Sequence, residues 1–64
     1  MYIKDIEIGQ TVTYESSAST YVGEVVSIAE SSFTVVDSPS LMVLHKAGYN
    51  VGSTVCVDQV IAIV

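Results

Sequence analysis

The sequence predicts an all-β protein: one small five-stranded antiparallel barrel spanning residues 1–64, with no significant helix. Three observations carry that expectation. Apolar residues alternate or run together and do not recur at helical spacing. Val, Ile, Thr and Tyr, the residues that pack well on a pleated surface, dominate the chain. Breaks at Gly9, "ESSAS" (15–19), "ESS" (30–32), "SPS" (38–40) and "KAGYNVGS" (46–53) divide it into short strands at regular spacing.

The strands are expected at roughly residues 10–15, 21–29, 33–37, 41–45 and 54–63. Side chains alternate across a strand, so faces can be assigned. In the first strand Val12 and Tyr14 share a face, opposite Thr11, Thr13 and Glu15. In the second, Val22, Val26 and Ile28 agree in phase but Glu24 intrudes, and Gly23 marks the expected bulge. Phe33 and Val35 share a face in the third. The fourth, "LMVLH", is apolar on both faces. In the last strand Val55, Val57, Ile61 and Ile63 are assigned inward, and Gln59 interrupts them. Val60, Ala62 and Val64 then point outward as a surface for self-association.

One phrase occurs twice, as "IGQTVTY" at 8–14 and "VGSTVCV" at 51–57. In each, a glycine free to take positive φ delivers the chain into an alternating Thr–Val run. The repeat reads as a device for launching the first and last long strands.

Composition narrows the function. A chain of 64 residues buries only about 60% of its unfolded surface, and such domains usually need a disulfide, a metal or oligomerisation. Cys56 is the single cysteine and His45 the single histidine, too few for an internal disulfide or a structural zinc site. No metal and no cofactor are expected, which leaves a homo-oligomer. Lys4 and Lys46 are the only lysines, arginine is absent, and the formal net charge is −5. Nucleic-acid binders neutralise phosphates with Lys and Arg, so no nucleic acid is expected as partner. No apolar run reaches the ~20 residues of a membrane span, and "MYIKDIEIG" lacks the features of a signal peptide. The expected compartment is the cytoplasm of a bacterial or phage-infected cell.

No catalytic constellation stands out. A nucleophile needs a base that a third group orients, and one histidine allows little choice. Cys56 reads as a small half-buried hydrophobe and His45 as a polar strand-end residue, so the chain is not expected to be an enzyme. The tyrosines Tyr2, Tyr14, Tyr21 and Tyr49 are the candidate partner-binding residues, since Tyr offers apolar area and a hydroxyl together.

Ile8-Gly9-Gln10-Thr11-Val12, Gly23-Glu24-Val25-Val26-Ser27-Ile28 and Phe33-Thr34-Val35 resemble the matching stretches of small SH3-like barrels. Sm-like proteins, which share that topology and assemble as rings, resemble the same central stretch. Their RNA-contacting signatures and basic residues do not occur here. The resemblance implies a barrel, a ring habit and a binding face of exposed aromatics beside the loops. "VGSTVCVDQVIAIV" is also similar to the closing strand of biotinyl and lipoyl carrier domains. Their modified lysine sits on a central hairpin tip, where this chain has "AESSF", and Lys46 lies too near the final repeat to replace it.

The function expected from these readings is a non-enzymatic binding module that occupies a protein partner. An example is a phage- or plasmid-encoded inhibitor of a host system. A structural virion subunit, for capsid decoration or tail association, is one alternative. An oligomer that sequesters a small ligand, such as a nucleotide signal, is the other.

Overall fold

The computed structural model describes residues 2–63. The strands are β1 (Thr11–Ser16), β2 (Ser19–Ile28), β3 (Ser32–Val36), β4 (Ser53–Cys56) and β5 (Val60–Ile63). They form one antiparallel sheet in the order β4-β3-β2-β1-β5, curled into a half-barrel whose two edges are β4 and β5. A helix, α1 (Pro39–Lys46), links β3 to β4, and 3-10 turns occupy Ile3–Asp5 and Val57–Gln59.

The first two strands meet through a two-residue turn, with Ser16 opposite Ser19. Ser17 and Ala18 both have positive φ, 51° and 65°. That conformation matches the strand twist in a tight hairpin but normally recruits Asn-Gly. Gly9 and Gly52 also have positive φ, 95° and 113°, as the repeated phrase predicts. The Gly9 amide donates to the Val25 carbonyl at 2.9 Å, and the Val25 amide donates to the Gln10 carbonyl at 2.9 Å. These bonds extend the β1–β2 ladder back to the turn. At Gly52 the backbone passes so close to β3 that a Cβ would lie 2.6 Å from the Val35 carbonyl oxygen.

The core lies on the inner face: Ile6, Val12, Tyr14, Val25, Phe33, Val35 and Val55, with Ile3, Val57, Val60 and Ile63 packed against it. Val12, Tyr14, Phe33, Val35 and Val55 face inward as alternation predicts. The second strand differs. Val22 is 55% exposed, whereas Gly23 and Val25 face inward. Gly23 is not the bulge. It pairs with Val12 and makes room for Val35, whose Cβ would come within 3.2 Å of a Cβ there. The register shifts instead between Val25 and Ser27, leaving Val26 as the extra residue.

The segment expected as a fourth strand, 41–45, is helical. Its signals are local. Ser38 caps the helix by accepting the Leu41 amide at 3.2 Å, and Pro39 occupies the first turn, where its fixed φ suits a helix start. At the other end Gly48 has φ 97°, with Gly48 N donating to the His45 carbonyl and Tyr49 N to the Leu44 carbonyl, both at 3.0 Å. This pair of bonds is a Schellman cap. His45 accordingly sits in the last helical turn and not at a strand end.

The long last strand is likewise two. A 3-10 turn at Val57–Gln59 separates β4 from β5 and carries the chain from one sheet edge to the other. A second bulge follows. Val60 pairs with Tyr14, Ala62 with Thr13 and Ile63 with Val12, which leaves Ile61 as the extra residue. Val60 therefore packs on the core and Ile61 is 58% exposed, the reverse of the expected facing. Cys56 is exposed, not half-buried. Among the described residues no helix is long and apolar enough to cross a membrane.

Candidate functional site

Two concavities stand out among the described residues. The larger, about 330 Å³, lies where β2 meets the start of α1, lined by Val22, Val36, Pro39 and Met42 together with Glu24 and Asp37. Val36 is 3% exposed yet lies outside the core cluster. The lining it shares with Pro39 and Met42 places it beneath the helix start. The exposed helical residues Val43 and Leu44 do not line this groove.

The second pocket, about 230 Å³, opens between the hairpin end of β1 and β2, the start of β4 and the 3-10 turn. Its lining comes from across the chain: Tyr14 and Ser16 from β1, Tyr21 from β2, Asp37 after β3, Ser53 and Thr54 from β4, and Gln59 from the 3-10 turn. Tyr14 and Tyr21 stand directly opposite in the β1–β2 ladder. Their rings stack with centroids 5.6 Å apart and planes 26° from parallel. Tyr14 is buried and Tyr21 is 40% exposed, so the inner ring holds the outer one in place.

The electrostatics follow from this burial. Desolvation pushes the Tyr14 phenol above its ordinary pKa, and the neighbouring Asp37 carboxylate and Tyr21 push in the same direction. Hydrogen bonding with the Ser53 side chain pulls against them. Gln59 is committed to structure: its Oε1 accepts the Cys56 amide at 2.9 Å and its Nε2 donates to the Glu15 carbonyl at 3.0 Å. It forms a wall and Ser53 is engaged with Tyr14, while Asp37, the Ser16 and Thr54 hydroxyls and the Tyr21 ring remain to meet a ligand.

No family model, curated protein or solved structure matches this chain. The site must therefore be read from its own residues.

Of the four candidate tyrosines, the fold brings Tyr14 and Tyr21 together and leaves two apart. Tyr2 is 70% exposed in the N-terminal segment, with the Lys4 Nζ 5.5 Å from its ring centroid. Tyr49 is 62% exposed just after the helix cap. Neither lines the pocket. Of the residues assigned to self-association, Ala62 is exposed on edge strand β5, Val60 packs on the core, and Val64 lies outside the described residues. Sequence reasoning missed Asp37 and Ser53. Asp37 continues the alternation of Phe33 and Val35, which puts a carboxylate where the inner face runs out. Ser53 follows the glycine of the second repeat, at the point where that turn delivers β4.

Among the described residues no three His, Cys, Asp or Glu side chains group as metal ligands.

Proposed function

We propose that this protein is a non-enzymatic binding module, a small self-associating SH3-like barrel that acts by occupying a protein partner. Inhibition of a host system is the specific form this would take in a phage- or plasmid-encoded chain. The observation that carries the reading is the stacked Tyr14–Tyr21 pair on the wall of a polar pocket. A rigid aromatic with one wet face offers contact area at little ordering cost.

Two features favour the SH3-like barrel. β1 lies between β2 and β5, and a single 3-10 turn joins the edge strands. The three stretches that resemble the family fall at the start of β1, in β2 and in β3. The open edges of β4 and β5 favour self-association, because unpaired strand backbone invites another chain.

Affinity capture of the tagged chain from its native host, followed by mass spectrometry, tests the reading. One stoichiometric protein lost with Tyr21→Ala is the expected result. Recovery of particle proteins would move the function to a structural subunit, and recovery of a nucleotide to a ligand-sequestering oligomer.

A further inference from the structure

The pocket beside Tyr21 has a chemistry more specific than protein binding in general. We propose that it is a receptor for one arginine side chain presented by the partner. The inference rests on the binding-module reading above.

Size comes first. At about 230 Å³ the pocket falls below the ~300–1,000 Å³ usual for cofactor and small-molecule sites. One long side chain suits it better than a whole ligand.

The lining then selects the charge. Asp37 brings a carboxylate, Ser16 and Thr54 bring hydroxyls, and neither lysine nor the histidine lines the pocket. A phosphate or carboxylate ligand would face Asp37 with nothing to neutralise it. A neutral ligand covering Asp37 would remove its hydration and return no counter-charge, which is costly. A cation resolves both problems.

Tyr21 narrows the choice of cation. Its exposed ring face, braced from behind by buried Tyr14 at 5.6 Å, is a platform for a positive charge. A guanidinium stacks flat on such a ring while its N–H fork engages a carboxylate, which a compact ammonium cannot do as well. The whole molecule reinforces the selection. Its formal charge of −5 draws a basic partner toward the pocket and repels phosphates.

The test uses two neutralised amino-acid probes in an amide-resolved NMR titration of the full chain. Nα-acetyl-arginine methylamide carries the charge, and the citrulline analogue keeps the shape without it. The arginine probe should shift the Tyr14, Tyr21, Asp37 and Ser53 amides saturably, with Kd on the order of millimolar for so small a ligand. The citrulline probe should leave them in place. Asp37→Asn should weaken arginine binding about tenfold. Because Asp37 is exposed, that variant should keep the dispersed spectrum of the folded chain; if it does not, Tyr21→Leu supplies the same comparison. Equal shifts from both probes, unsaturating shifts scattered over the acidic surface, or wild-type affinity in the variant would each overturn the proposal. A captured protein that is lost with Tyr21→Ala but survives Asp37→Asn would sink the arginine pocket and leave the binding module standing. Saturable arginine binding with no captured protein would do the reverse.

Discussion

Gln59 donates its side-chain Nε2–H to the backbone carbonyl of Glu15 across 3.0 Å, joining residues 44 positions apart. The same side chain accepts the Cys56 amide at 2.9 Å. One amide therefore closes the 3-10 turn and clasps it to the end of β1, which positions β5 for pairing. Removing it leaves both backbone groups to water or to no partner. Gln59→Ala is expected to lower stability by about 1–2 kcal/mol, read as a lower urea midpoint with an unchanged slope. An unchanged midpoint would mean that the clasp contributes nothing.

The two glycines of the repeated phrase should differ sharply in their tolerance. Gly9 has positive φ, and an added Cβ would meet nothing within 4 Å. Gly9→Ala therefore costs only backbone strain, about 1–2 kcal/mol. At Gly52 the same strain is joined by a collision with the Val35 carbonyl at 2.6 Å. Gly52→Ala should cost more than about 3 kcal/mol or prevent folding. Thermal unfolding of the two variants ranks them, and equal melting temperatures would contradict this account.

The hairpin turn holds recoverable strain. Ser17 and Ala18 both adopt positive φ, a conformation that costs an ordinary L-residue about 1–2 kcal/mol. Replacing the pair with Asn-Gly should stabilise the fold by about 1 kcal/mol. A raised denaturation midpoint is the expected readout, and a lowered one would show that the serine or alanine side chain makes a compensating contact.

Self-association through β5 makes a facing-dependent prediction. Val60 and Ile63 pack on the core, whereas Ile61 and Ala62 are exposed along a free edge. Ile61→Lys and Ala62→Lys should yield smaller but folded species in sedimentation velocity. Val60→Lys and Ile63→Lys should unfold the chain in circular dichroism, because a charge would enter the core. A wild type that stays monomeric at high concentration would end the oligomer proposal.

Alkaline pH should weaken the fold through Tyr14. Its phenol is raised above the ordinary value, chiefly by burial, so the folded state favours the neutral form. Below the unfolded pKa of about 10, both states hold the proton and stability is constant. Above it the unfolded chain ionises first, and stability falls until pH passes the folded pKa. Urea midpoints measured from pH 8 upward should show a flat region and then a decline. Tyr14→Phe should reduce the decline, and an equal decline in that variant would assign it to other groups.

Local chemistry in the sequence was enough for the first three strands, the break within 15–19 that separates the first two, and the inward facing of Val12, Tyr14, Phe33, Val35 and Val55. Alternation, β-branched composition and two positive-φ glycines act within a few residues of one another. The helix was also locally signalled, by Ser38, Pro39 and Gly48. Its "LMVLH" segment is apolar on every side, however, so periodicity could not separate helix from strand. The bulges at Val26 and Ile61 depend on which strand lies alongside, because an extra residue exists only relative to a partner's register. The same holds for the pocket. Its walls come from positions 14 to 59, and only the curling of the sheet and the crossing at Val57–Gln59 bring Asp37 and Ser53 to the tyrosine pair.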